Sequence, residues 1–155
     1  MTDLVVDNVH KTLGSIHVLK GASFNASKGM IVALLGASGS GKTTLLRCLA
    51  GLEVPERGRI VIGDKTAFDG DAGIAVPPEK RNIGLVFQSY ALWPHKTVTE
   101  NVAFGLKLRG VSGADTSQRV GAILQKLGLG HLGERYPFQL SGGQQQRVAI
   151  CRELV

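Results

Sequence analysis

Apolar positions along the chain first follow a strand rhythm and later a helical one. Up to residue 87, short apolar runs alternate with turn-forming clusters. The pattern predicts strands over Leu4–Val9, His17–Phe24, Met30–Leu35, Arg59–Ile62 and Ile83–Phe87, with "NASKG" and "PERGR" as turns between them. The run "MIVALL" at Met30–Leu35 is apolar at every position. That lack of alternation predicts a strand covered on both faces, as in a parallel sheet. After the glycine-rich stretch at 36–41, Leu45, Leu46 and Leu49 predict a helix with a buried stripe, ended by Gly51.

Beyond residue 88 the period lengthens. Thr97 and Glu100 have the spacing of a capping box and predict a helix to about Leu108. Asp115 and Gln118 suggest a second start. Val120, Ile123, Leu124 and Leu127 then place one apolar stripe on a helix capped by Gly128. Ser141 predicts a third start, with Val148, Cys151 and Val155 on its inner face. The expected organisation is one α/β chain: a sheet-bearing core over residues 1–88 and a helical part over 89–155.

Composition narrows the function classes. A chain of 155 residues with 43% hydrophobic and 19% charged residues can bury a core and is not disordered. The net charge of +6 invites a nucleic-acid reading, but Lys and Arg are scattered and aromatics are only 5%, too few for a stacking platform. No nucleic-acid partner is expected. Cys48 and Cys151 are far apart in sequence and read as buried free thiols. The acidic start "MTDLVVDNVH" is unlike a secretory leader, and no apolar run approaches a membrane span, so a cytoplasmic location is expected.

Two stretches carry chemistry. "GASGSGKT", Gly36 to Thr43, matches G-x-x-x-x-G-K-[ST] between an apolar run and a helical stripe. Gly36, Gly39 and Gly41 allow the backbone to wrap a phosphate, with Ala37, Ser38 and Ser40 contributing further N–H groups. Lys42 brings a point charge to the terminal phosphates, and the Thr43 hydroxyl, followed by Thr44, suits a hard cation such as Mg²⁺. In "LSGGQ", Ser141 is a good N-cap, and Gly142 and Gly143 leave helix-start amides uncovered for an anion.

In that order, the Gly36–Thr43 loop, Gln88 after "NIGLVF", and "LSGGQQQR" at Leu140–Arg147 closely resemble the nucleotide-binding domain of ABC transporters. Val86–Leu106 and Arg135–Ile150 resemble the importers that take up sugars, polyamines or iron(III). The resemblance implies a P-loop NTPase-type, mostly parallel sheet core with an antiparallel β part and a helical subdomain. It implies ATP and Mg²⁺ as cofactors, with Gly36–Thr44 holding the chain's own ATP, Thr43 serving Mg²⁺, and the catalytic Gln88 reaching Mg²⁺ or the attacking water. It implies a head-to-tail pair of ATP-binding subunits, in which Ser141, Gly142, Gly143 and Gln144 cap the partner's ATP.

It further implies a membrane permease contacted near Tyr90, Trp93 and His95, and a position on the inner face of the cell membrane. Tyr90 and Trp93 fit either a groove lining or a set of core aromatics. The family's adenine-stacking aromatic corresponds to Leu13, which predicts weak discrimination between ATP and GTP. The family also has an Asp-Glu strand and a His after the signature. Neither occurs up to Val155, so the sequence reads as an incomplete domain with little or no hydrolysis of its own. The alternative is a non-catalytic ATP-binding or permease-docking fragment.

Overall fold

The computed structural model describes residues 2–155. They form two compact units, Met1–Ile83 and Gly84–Val155, each with its own apolar core.

The first unit is an antiparallel sheet backed by one helix. Strands β1 (Thr2–Leu13) and β2 (Ile16–Ser27) form a long hairpin, and β3 (Arg57–Ile62), β4 (Lys65–Asp69) and β5 (Ile74–Ala75) extend it in the order β2-β1-β3-β4-β5. The hairpin turns at Gly14, whose φ of 60° is one that side-chain-bearing residues avoid. Val6, Val9, Leu19, Ile60, Ala67 and Phe68 gather on one face. Helix α1 (Lys42–Ala50) covers them with Leu45, Cys48 and Leu49. Leu46, expected in that stripe, is 44% exposed. At 100° per residue the i, i+3, i+4 set that begins at Leu45 runs through Cys48, and Leu46 turns away.

Two expected strands are absent. Met30–Leu35 is irregular, with Ile31 97% and Leu35 92% exposed. Ile83–Phe87 is likewise irregular, with Ile83 and Val86 exposed. A wholly apolar strand needs a covering layer on each face and a paired edge. Among the described residues, neither run pairs with a strand of the sheet. In the opposite direction, β4 was not anticipated. "KTAFD" is too polar to stand out, yet Ala67 and Phe68 point into the core.

The second unit is helical. Helix α2 (Val98–Leu108) begins at the Thr97–Glu100 capping box: Thr97 Oγ1 accepts from Glu100 N–H at 3.2 Å, and Thr97 N–H donates to Glu100 Oε2 at 2.8 Å. That backbone hydrogen bond holds the Glu100 carboxyl below its ordinary range. Helix α3 (Gly113–Lys126) starts at Ser112, whose hydroxyl accepts from Asp115 N–H. Asp115 is therefore the N3 partner rather than the first residue of that helix. Gly128 follows it at φ 69°. Helix α4 (Gly142–Leu154) lays Val148 and Cys151 against Val98, Val102, Leu106, Val120 and Leu124. Among the described residues, no helix is long and apolar enough to cross a membrane.

Candidate functional site

The chain enters α1 through the Gly36–Gly41 loop. Ser40 N–H donates to Ala37 C=O at 3.2 Å, which closes a tight turn, and Gly39 (φ 80°) and Gly41 (φ 90°) then occupy left-handed backbone. Gly41 is the N-cap residue of α1 and leaves no room for a side chain. A Cβ there would lie 2.9 Å from Leu19 Cδ2 and 3.1 Å from Val18 C=O. The Gly41 carbonyl accepts from Leu45 N–H at 2.8 Å and so starts the helical ladder.

A glycine at the N-cap supplies no side-chain acceptor. The N–H groups of Lys42, Thr43 and Thr44 consequently have no protein acceptor among the described residues. Unsatisfied donors at the positive end of a helix attract anions. The Lys42 ammonium folds over the same loop, donating to Gly36 C=O (2.8 Å), Ala37 C=O (2.7 Å) and Ser40 Oγ (3.1 Å). All three of its protons are thus held by exposed acceptors that an incoming phosphate can replace.

These groups line a cleft of about 370 Å³ together with Leu13 and Val18 from the β1–β2 hairpin, and with Ser38 and the exposed Thr43 hydroxyl. The cleft therefore combines amides, one ammonium, two hydroxyl-bearing threonines and two aliphatic side chains. Its lining includes no carboxylate. Such a donor set suits a polyanion with an apolar appendage, and hydroxyl oxygens suit a hard cation carried with it.

The far end of α1 is secured by a residue that the sequence reading passed over. Arg81 is 6% exposed, and its guanidinium donates to Cys48 C=O (2.7 Å), Leu49 C=O (2.9 Å) and Val76 C=O (2.7 Å). Burial draws this guanidinium below the ordinary arginine range, partly opposed by the nearby Cys48. Gly51 makes the approach possible, since a Cβ there would meet Arg81 Nε at 2.6 Å. A lone Arg after a short turn gives no periodic signal, which is why pattern reading misses it.

In the second unit the start of α4 is built differently. Ser141 Oγ accepts from Gln144 N–H at 3.4 Å, and Ser141 N–H donates to Gln144 Oε1 at 2.9 Å. This reciprocal box engages both side chains that the resemblance assigns to a partner's nucleotide. Gly142 and Gly143 remain exposed, and their N–H groups have no protein acceptor among the described residues. Gln145 Nε2 ties the preceding turn through Pro137 C=O and Leu140 C=O.

Gln88 is exposed, and its amide makes no hydrogen bond among the described residues. It precedes a bend in which Tyr90 (φ 62°) and Ala91 (φ 48°) both hold left-handed backbone, a costly arrangement for residues other than glycine. Arg152 of α4 braces the bend, donating to Ala91 C=O at 2.6 Å and Tyr90 C=O at 3.5 Å. Its guanidinium also stacks over the Trp93 ring at 5.3 Å. Trp93 packs on Phe104 at 4.2 Å and is pinned by the buried Asn101, which pairs with both its N–H and its C=O. Trp93 is therefore half-buried packing. The Tyr90 hydroxyl lies 3.5 Å from where a Cβ on Gly142 would sit. His95 is exposed.

Comparison with known proteins adds independent findings. The family model described as ABC transporter matches residues 19–155. The trehalose/maltose import ATP-binding protein MalK of Thermococcus litoralis is 51% identical over 148 residues, which is 96% of this chain and 40% of that protein. The sulfate/thiosulfate import ATP-binding protein CysA of Thermosynechococcus vestitus is 49% identical over 97% of this chain and 43% of its own length. The Fe(3+) ions import ATP-binding protein FbpC of Agrobacterium fabrum is 45% identical over 98% of this chain and 41% of its own. The chain thus spans about 40% of the length of the curated relatives it matches. Among solved structures, the ATP-binding cassette MJ0796, a dimer in a post-hydrolysis state bound to ADP and Pi, superimposes with a TM-score of 0.82 at 35% identity. That match covers 97% of this chain and 68% of the other. It shows the P-loop NTPase fold class expected from the sequence.

Proposed function

The chain belongs to the ABC transporter family, and on that premise we propose that it is the nucleotide-binding portion of an importer's ATP-binding subunit. Gly36–Thr44 hold the triphosphate of ATP, with Leu13 and Val18 forming the apolar wall beside the base. Thr43 offers its hydroxyl to Mg²⁺. The cation, when bound, shields the phosphate charge and polarises the terminal phosphoryl group. In the second unit, Gln88, whose amide makes no hydrogen bond among the described residues, offers that amide to the attacking water or the cation. Gly142 and Gly143 direct their amides at the ATP of a second, head-to-tail subunit. The intact protein sits at the cytoplasmic face of the membrane through its permease and couples ATP binding and hydrolysis to solute uptake.

One observation carries this reading: three helix-start amides without acceptors meet one ammonium in a single cleft. Two kinds of likeness support it. The named relatives are import ATP-binding proteins, and the solved neighbour is a dimer that holds ADP and Pi. Because the cleft lining has no carboxylate to polarise water, residues 1–155 bind nucleotide and turn it over far more slowly than the ~10 s⁻¹ of a median enzyme. The alternative, a non-catalytic ATP-binding or permease-docking piece, shares the binding step and predicts no turnover at all.

Titration with a fluorescent ATP analogue and Mg²⁺ tests the proposal. Replacing Lys42 with Ala removes charge-assisted hydrogen bonds and is expected to weaken binding about 10- to 100-fold. Equal affinity for the variant and the parent would sink the assignment.

A further inference from the structure

Away from the phosphate cleft, the β1–β2 hairpin brings two histidines together. His10 Nδ1 and His17 Nε2 are 3.3 Å apart, and the two rings stack with centroids 5.3 Å apart. The opposite side of the His10 ring is fixed: its Nε2 lies 3.0 Å from Asn8 Oδ1. An amide oxygen only accepts, so His10 carries its proton on Nε2 and presents a bare lone pair at Nδ1. His17 therefore donates from Nε2 across the gap.

We propose that His10 and His17 form a binding site for a borderline divalent transition ion of the Zn²⁺ class, which staples the hairpin that bears Leu13 and Val18. Three features of the hairpin converge on this site. The 3.3 Å separation of the nitrogens is about the edge of a tetrahedron with metal–nitrogen bonds of roughly 2.0–2.1 Å. The ligand facing the metal already has its second nitrogen hydrogen-bonded to an oxygen, the arrangement that orients metal-bound histidines. The backbone is also shaped around that oxygen. Asn8 sits in left-handed backbone (φ 48°) at a register irregularity of β1, with its N–H on Ser23 Oγ. Opposite it, Gly21 leaves the space, since a Cβ there would lie 2.8 Å from Asn8 Oδ1 and 3.3 Å from His10 Nε2.

Binding requires the His17 ring to turn until its lone pair converges with that of His10, and a shift of the His17 proton from Nε2 to Nδ1. No proton is lost in that exchange. Among the described residues, no group of three or more His, Cys, Asp and Glu side chains gathers at metal distance, so water completes the coordination. Borderline imidazole nitrogen donors select Zn²⁺ or Ni²⁺ over Mg²⁺, which separates this site from any Mg²⁺ held by Thr43 oxygen.

Calorimetric titration of the untagged chain with ZnCl₂ in excess Mg²⁺ tests the site without any nucleotide. One saturable site per chain is expected, weakened at least tenfold by either His10→Gln or His17→Gln. A His95→Gln/His131→Gln double variant should retain it. Gly21→Ala should weaken it with both ligands in place, because the Asn8 prop is displaced. In the unaltered chain, Zn²⁺ should shift the ring resonances of His10 and His17 before those of His95 and His131, which keeps the test valid if a variant misfolds. Absence of saturable binding, or affinity indifferent to His10 and His17, overturns the proposal.

Discussion

The starts of α1 and α4 look alike in sequence, each with glycines ahead of an apolar helical stripe, yet the structure finishes them in opposite ways. At α1 the N-cap is Gly41, with no side-chain acceptor, and three successive amides stay open beside Lys42. At α4 the cap is Ser141, which closes a reciprocal box with Gln144 and leaves only the Gly142 and Gly143 amides. The glycines differ as well. Gly41 is compelled by a φ of 90° and by Leu19 and Val18, whereas a Cβ on Gly143 would meet nothing. An open helix start costs stability that a capped one recovers. The first start is therefore built to receive an anion by itself. The second is stable alone, and its two exposed glycines are those proposed to meet the ATP of a second subunit.

Changes that break this contrast should act unequally. The largest effect is expected at the far end of α1, where Arg81→Ala takes the guanidinium away from the buried Cys48 and Leu49 carbonyls and the part-buried Val76 carbonyl. A loss of about 3 kcal/mol in urea unfolding is expected. A change under 1 kcal/mol would mean that water readily replaces the guanidinium. Next come the paired glycine tests. Gly41→Ala forces a left-handed alanine into Leu19 and should cost roughly 1–3 kcal/mol. Gly143→Ala should be neutral or gain about 0.5 kcal/mol in the same assay, because alanine is the better helix former. Equal losses at both positions would erase the contrast.

Ser141→Ala removes the acceptor of the α4 box and should cost about 1 kcal/mol, with nucleotide affinity of the isolated chain unchanged. The smallest difference is expected behind the two helices. Burial pushes the thiols of both Cys48 and Cys151 up to about 11. A raised native value means that the folded state keeps its protons while the unfolded chain loses them. The stabilisation is complete below about pH 9, the ordinary thiol value, and lost as the pH climbs towards 11. Unfolding measured against pH should show that decline, and Cys48→Ala and Cys151→Ala should each flatten it to a similar degree.

How legible these features were in the sequence follows from the range of the forces involved. Caps and turns are local, so Thr97–Glu100, Ser141 and the glycine after α1 could be read directly. The Gly36–Gly41 turn and the helix start after it were legible for the same reason, since their glycines and Lys42 lie within a few residues of each other. Strand readings at Met30–Leu35 and Ile83–Phe87 failed because a strand exists only through its neighbours, and apolar content cannot supply them. Arg81 was invisible because the three carbonyls it holds become adjacent only after folding. The His10–His17 pair likewise depends on the hairpin register, which aligns Thr12 with His17 and His10 with Lys20. The packing of Trp93 on Phe104, Asn101 and Arg152 also forms only on folding.

The most direct test is a backbone amide NMR titration of the dilute chain with Mg²⁺ and ATP. The amides of Gly39, Gly41, Lys42, Thr43 and Thr44 should shift first and together, and those of Gly142 and Gly143 should stay put until the chain is concentrated enough to pair. Shifts that begin at Gly142 and Gly143 and leave the α1 start untouched would contradict the account.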